Sequence, residues 1–573
     1  MVKSQARWAL RDSLAADWLA AAGLFAATAA VVLWQNAHVA VLWDLSYVLD
    51  TATRIAQGQL PYRDFPFAHA PLTFLIQAAI IRLTGRVFFH HVLYAAIIGG
   101  LGTVLTWRIA LHSLTGRIDA AWSVSLILAA PLTVLGIYCI LPLPSYDCDT
   151  AFAILIALFL LQRLNRSSNW LYGVTTGAAL CVPVFFKQNI GLPFLAAACG
   201  IITLALVAKL FGLLKPSALD SRTKPLTAVL TGVALTSTAA LLLLHFTVGL
   251  GSYFHWTIQF AAQRRLPGLQ QMLGVYSDPQ LLWKLPCIVA AIVILHRVKA
   301  QSAKLVALIL LAAPFVYTLC TLVIYDDADE RGDSLLALWP MLLILAAALA
   351  LWNLRTLRQQ RQIAPFLPIL ILVTIHGTLM SQQLWGSTYA IWPLLILLIA
   401  EVLAWLNQSP RTMAFVVATT FLVCGAFYTT SEERLSYAQL PTEPALHSAF
   451  PQLKGLSTPG PYLSNFDELL RFADAHIPAA DGLILIPGED LFYFATGRTP
   501  QFPVLLFDPA TDPLSPDQIV EAASQHNIRW LIVKRNLQLT ADPTPQRDAT
   551  QSLLLTRFVP VAQLHGYDIY QSR

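Results

Sequence analysis

Residues 71–84 read PLTFLIQAAIIRLT, and whether this stretch crosses a membrane decides the topology of everything after it. It is apolar but short, and a bilayer core needs roughly 20 residues of helix per crossing. It is therefore expected to lie on the membrane surface. Longer apolar runs surround it, at about 14–34, 89–112, 121–142, 149–165, 169–187, 188–213, 224–247, 281–298, 304–325, 334–353, 364–380, 386–406 and 411–430. These are thirteen candidate spans. The first is too long for the apolar region of a cleaved signal peptide and reads as a retained span.

The distribution of basic residues tests this count, because cytoplasmic loops carry the Lys/Arg excess. With the N-terminus inside, eighteen Lys/Arg of residues 1–430 fall on the inner side and nine on the outer. Treating 71–84 as a span would flip every later loop and spoil the bias. The expected class is a polytopic α-helical membrane protein, N-in and C-out, at the cell (inner or plasma) membrane. Composition agrees: 56% of the 573 residues are hydrophobic and 12% charged, about half the charge of a soluble chain. The net charge of +5 then reflects inner loops and needs no nucleic-acid partner.

The charge balance changes near residue 430. Residues 1–430 carry 27 Lys/Arg against 16 Asp/Glu, and residues 431–573 carry 10 against 16. Two domains are expected: 1–430 in the membrane, with an outer loop over 35–88, and 431–573 as an extracytoplasmic α/β unit. In the latter, SNFDELLRFADAHI from Ser464 and the Ser515-Pro516-Asp517-Gln518 start read as capped helices. LILIP (483–487), PVLLF (503–507) and IRWLIVK (528–534) read as strands. Two late spans each begin near a Trp-Pro pair, Trp339-Pro340 and Trp392-Pro393, which reads as two helices entering from one side with an interfacial Trp.

The seven cysteines are scattered, mostly within apolar runs, without CxxC or Cys/His spacing. Neither a disulfide framework nor a zinc site is expected. No cofactor is expected; a divalent metal is allowed by the chemistry but not supported by any ligand pattern.

Eleven of the sixteen acids before residue 431 fall on the outer side. Orientation follows Lys and Arg, not acids, so this bias points to chemistry there. Residues 35–70, QNAHVAVLWDLSYVLDTATRIAQGQLPYRDFPFAHA, are the most informative stretch. Asp44 follows an apolar segment between Trp34 and Trp43, where partial desolvation makes a carboxylate a stronger base. Asp50 is a backup on the same helix, which Gly58 and Pro61 end. Tyr62, Arg63 and Asp64 form a polar knot; Tyr62 and Arg63 join the candidate phosphate contacts, and Asp64 reads as an ion-pair partner.

A second acidic site is Ser145-Tyr146-Asp147-Cys148-Asp149, at a span's outer mouth, where acids also cap helices. Neighbours on a turn point apart, so Asp147 and Asp149 are expected to divide cap and function, with Asp147 the catalytic candidate and Asp149 the backup. Lys187, in the tight turn VPVFFKQNIG, either snorkels to headgroups or binds an anion. Arg264 and Arg265 suit phosphate oxygens or lipid headgroups.

Trp43-Asp44, Gly58-x-x-Pro61-Tyr62-Arg63-Asp64-Phe65 and Pro71-Leu72 together resemble the first outer loop of the GT-C-type glycosyltransferases. The nearer resemblance is to the branch with the aminoarabinose lipid A transferases, protein O-mannosyltransferases and bacterial core-sugar transferases. The resemblance implies a polyprenyl-phosphate-linked sugar donor. It implies Asp44 as the base on an acceptor hydroxyl and Lys187 as the contact to the lipid phosphate. The acceptor is left open among lipid, glycan and protein. Many members carry Asp-Glu where this chain has Asp44-Leu45, which argues against a metal bridged by adjacent carboxylates. Two other classes compete: a transporter or lipid flippase, and a non-catalytic scaffold with a binding outer domain. Transporters place ionisable groups near the midplane, whereas these span interiors are nearly free of charge.

Overall fold

The computed structural model describes residues 2–38, 42–164, 169–211, 223–264, 269–298, 300–355, 366–380, 388–430, 446–458, 461–507, 512–535 and 545–573. The chain is a helical multi-pass membrane protein with a C-terminal mixed-sheet region. Seven described helices are long and apolar enough to cross a membrane: Leu14–Asn36, Phe88–Leu114, Gln188–Leu210, Thr223–Thr247, Gln301–Ile324, Ala328–Leu354 and Pro410–Thr430. Shorter apolar helices lie between them.

The helices around the candidate residues of the first loop come first. They are α1 (Val2–Asn36), α2 (Leu42–Ala56), α3 (Leu72–Thr84) and α4 (Phe88–Leu114). At 1.5 Å per residue, α3 reaches only about 20 Å. It lays Phe74, Ala78 and Ile81 onto the buried Leu45, Leu49 and Ala52 of α2. Residues 121–142 are not one unbroken helix. They break into α5 (Ala121–Ala129) and α6 (Leu132–Leu135) around Pro131, followed by an irregular buried turn in which Tyr138 has φ 67°. Proline's missing N–H and the left-handed Tyr138 both end helical continuation.

Next come α7 (Tyr146–Leu164), α8 (Trp170–Phe186), α9 (Gln188–Leu210) and α10 (Thr223–Thr247). The later bundle holds α11 (Leu281–Arg297), α12 (Gln301–Ile324), α13 (Ala328–Leu336), α14 (Trp339–Arg355), α15 (Leu367–Leu379), α16 (Trp392–Leu406) and α17 (Pro410–Thr430). Trp339 and Trp392 are not interfacial. Both are fully buried and meet edge to face at 5.1 Å, so the repeated Trp-Pro entry is a packing contact between α14 and α16. Two buried charges lie in these helices: Glu401, near the end of α16, accepts from Arg117 at 2.6 Å, and Lys284 of α11 donates to the Ala337 carbonyl at 2.9 Å.

The C-terminal region holds β1 (Leu446–His447), β2 (Ser457–Thr458), α18 (Tyr462–His476), β3 (Gly482–Ile486), α19 (Phe492–Thr496), α20 (Pro516–Gln525), β4 (Ile528–Lys534), α21 (Pro545–Leu555), β5 (Phe558–Gln563) and β6 (Tyr567–Ser572). Its main sheet runs β3-β4-β6-β5, with β3 and β4 parallel and the other pairs antiparallel. β3 and β4 are near-continuous apolar runs because both faces are covered. Leu483, Leu485, Trp530 and Ile532 face a cluster shared with α2, α3 and α18, while Ile484, Ile486, Leu531 and Val533 face α20. The sheet and the first loop therefore share one core.

Two local expectations change. Residues 503–507 form no strand. The Pro503 carbonyl accepts from Arg54 at 2.8 Å, and the Phe507 amide bonds the Pro487 carbonyl, so this run is a buried crossing loop. Ser464 is not a cap but lies inside α18, bonded back to the Pro461 carbonyl. The Ser515 capping box on α20 is present as read.

Candidate functional site

The site is built where three helix ends meet under the C-terminal region. α8 ends at Lys187, whose extended backbone (φ −152°, ψ 112°) turns the chain straight into α9. The turn is tight enough to require Gly191: an added Cβ would overlap the Val184 nitrogen and the Pro183 carbonyl. It aims Lys187 at the first turn of α7, where its Nζ lies 2.5 Å from Asp147 Oδ1. Both side chains are under a tenth exposed. The ammonium also lies 5.0 Å from the Tyr146 ring centroid.

Asp147 and Asp149 point to different partners. Asp149 is buried and accepts three hydroxyls at 2.7 Å each, from Thr73 of α3, Tyr94 of α4 and Tyr138. It ties three segments around the start of α7. Asp147 faces Lys187 instead.

An aromatic corner joins this ion pair to α2. His69 packs on Tyr146 with ring centroids 4.6 Å apart, and its Nδ1 lies 2.7 Å from the Tyr47 hydroxyl. Tyr47 is one turn beyond Asp44, and residues three apart share a helix face. Asp44 itself sits in the first turn of α2, partly exposed, where the helix dipole favours a carboxylate. The same turn is pinned from the other side by Ser46, whose hydroxyl donates to the Gly488 carbonyl at 2.8 Å. Asp44 thus lies on a turn held between the ion pair's aromatic corner and the C-terminal region.

The other candidates play supporting parts. Tyr62 is buried, in the left-handed region at φ 68°, and its hydroxyl donates to the His69 carbonyl at 2.6 Å. Burial pushes its phenol well above the ordinary range. The structure therefore places Tyr62 as a brace for His69. Arg63 is exposed and pairs with Asp64 at 2.8 Å. The hydrogen bond from Arg63 holds the Asp64 carboxyl below its usual range. Asp50 points away from the site and accepts the Phe494 amide at 2.7 Å and the Tyr493 amide at 3.3 Å, capping α19. Burial raises its carboxyl well above the usual range, and the two amides only partly offset this. Arg265 and the side chain of Arg264 lie outside the described residues.

His69, Tyr47, Tyr146 and Arg54 were not singled out by sequence reasoning, although His69 stands in the FAHA end of the informative loop and Tyr146 beside Asp147. Arg54 is nearly buried and lies 4.3 Å over the Phe65 ring; burial lowers its guanidinium to about 10. Gln188 donates to the carbonyls of Thr257 (3.0 Å) and Ala68 (3.3 Å), drawing the π-helical turn His255–Phe260 to the same corner. Among the described residues no group of three or more His, Cys, Asp or Glu is placed to hold a metal ion. Chemically, the site offers a buried ammonium for an anion, and a carboxylate on the neighbouring turn for a proton.

No family model matches the sequence, and no curated protein matches it. Solved structures align with it over most of its length, at TM-scores below 0.5. ArnT from Cupriavidus metallidurans bound to undecaprenyl phosphate is similar at 12% identity and a TM-score of 0.43, over 96% of this chain and 97% of that one. The archaeal oligosaccharyltransferase AglB from Archaeoglobus fulgidus, in complex with an inhibitory peptide and a dolichol-phosphate, is similar at 12% identity and a TM-score of 0.46, over 90% of this chain and 69% of that one.

Proposed function

We propose that the chain is a GT-C-type membrane glycosyltransferase that moves a sugar from a polyprenyl-phosphate donor to an acceptor hydroxyl. The carrying observation is the buried Lys187–Asp147 pair, joined through Tyr146, His69 and Tyr47 to the turn that bears Asp44. In this reading the lipid phosphate stays in the membrane plane and meets Lys187, with Asp147 orienting the ammonium. Asp44 takes the acceptor's proton as its oxygen bonds the anomeric carbon. The bond to the phosphate breaks, and configuration inverts. Base catalysis on one side and cationic stabilisation of the leaving phosphate on the other are the two contributions the reaction needs. Arg264 and Arg265 are further phosphate contacts in this proposal.

The proposed topology has thirteen spans with the N-terminus inside. It places residues 431–573 and the site on the outer face of the cytoplasmic membrane. A single core shared by the sheet and the first loop favours a unit that closes over the site.

Reconstituted protein given a labelled polyprenyl-phosphate sugar distinguishes the classes. A transferase releases free polyprenyl phosphate and labels an acceptor glycan, lipid or peptide. Movement of intact donor across the bilayer without release would instead establish a flippase, and neither event would leave a scaffold.

A further inference from the structure

A cavity separate from that site opens at the far end of α4 and α7. It is lined by Arg108, His112 and Thr115 of α4 and by Phe159, Gln162 and Arg163 of α7, and it measures about 190 Å³. Both helices begin at the C-terminal region's side, where the Phe89 amide bonds the Lys454 carbonyl. Arg108 lies 19 residues further on, about 28 Å along a helix rising 1.5 Å per residue.

Three observations fix the chemistry of this cavity. The first is charge: two guanidiniums and an imidazole line it, and no acidic residue does among the described residues. Arg108 is held from behind by Asp17 at 2.6 Å. Arg163 is exposed and stacks 4.2 Å over the Phe159 ring, which orders its guanidinium without consuming its donors.

The second is direction. The exposed stripe of α4 runs Phe89, Leu93, Ile97, Leu101. Arg108 and His112 follow Leu101 by seven and eleven residues, which continues the same helical face. The cavity therefore opens along an apolar surface suited to acyl chains. The third is depth: Trp122 and Trp170 are exposed at this end of the bundle, and exposed tryptophans mark the headgroup level.

We propose that this cavity binds the phosphodiester headgroup of an anionic phospholipid in the leaflet opposite the C-terminal region. Arg163 and Arg108 hold the phosphate, and the exposed stripe of α4 receives an acyl chain. Basic pockets between transmembrane helices recognise headgroups in this way. The site is separate from the transferase reading and does not depend on it.

The test is native mass spectrometry of the full chain carried in mixed phosphatidylglycerol/phosphatidylcholine nanodiscs. Wild type is expected to retain phosphatidylglycerol over phosphatidylcholine. Arg163→Gln, whose exposed side chain makes no hydrogen bond among the described residues, is expected to weaken that retention about tenfold, the loss of one charge-assisted hydrogen bond to the phosphate. Arg297→Gln, an exposed basic residue at the same end but outside the cavity, should leave retention unchanged. Added inorganic phosphate should not compete at millimolar levels. Equal retention by wild type and Arg163→Gln, or no preference for phosphatidylglycerol, would overturn the proposal. Competition by inorganic phosphate would overturn it in favour of a free-anion site.

Discussion

Lys187 and Asp147 are each nearly buried, and neither would be tolerated there alone. Removing one partner of such a pair leaves an uncompensated charge and costs about 3–5 kcal/mol. Lys187→Met is therefore expected to lower the melting temperature of the solubilised protein. Lys187→Met combined with Asp147→Asn should recover most of it. If the pair serves the reaction as well as the fold, the double variant melts near wild type yet does not transfer sugar. A double variant that is both stable and active would reduce the pair to packing. Both residues were legible in the sequence as candidates, but their contact was not. They stand forty positions apart, and nothing local says that the α8–α9 turn aims at the start of α7. The three hydroxyls around Asp149 are equally invisible, because they come from three separate segments. What the sequence did carry is the logic that neighbouring acids on a turn point apart, and the two carboxylates do meet different partners.

At the scale of elements, α2 does two jobs. Its first turn carries Asp44, and its third presents Asp50 to the amides that open α19. Asp50→Ala leaves two buried N–H groups without acceptors, a penalty of about 1–3 kcal/mol each. Amide exchange at Tyr493 and Phe494 should accelerate while the membrane helices stay protected. The pH dependence has a definite sign. Asp50's carboxyl is raised in the folded state, so its contribution is fully present below the unfolded value of about 4. It is lost as pH rises through the folded value. Protection at Phe494 should therefore weaken from about pH 4 upward in wild type, and Asp50→Asn should flatten that slope. A slope unchanged by Asp50→Asn would assign the dependence to another group. Elements with strong local signals were readable: β4 spans IRWLIVK, and α20 starts at its capping box. Residues 503–507 were not. An apolar run buried by packing alone carries the same composition as a strand, and only the bonds of the Pro503 carbonyl and the Phe507 amide separate the two.

The whole molecule joins an apolar bundle to a mixed sheet through one hydrophobic cluster spanning α2, α3, α18 and β3. That arrangement was only half legible. Composition and spans gave the bundle, and alternating apolar strands and capped helices gave the sheet region, but the shared core depends on long-range contacts. The proposed orientation predicts that a cysteine introduced at exposed Ser464, in a cysteine-free background, reacts with a membrane-impermeant thiol reagent added outside intact cells. A cysteine at exposed Arg297 should react only after the membrane is opened. The reverse pattern would invert the topology.

The central claim rests on Asp44, and Asp44→Asn tests it most directly. The variant keeps the size of the side chain and removes the base. It is predicted to bind polyprenyl phosphate and to melt like wild type. Its sugar-transfer rate should fall by about 10²–10⁴-fold, the usual contribution of a positioned general base. A stably inserted Asp44→Asn protein that transfers sugar at the wild-type rate would contradict the account.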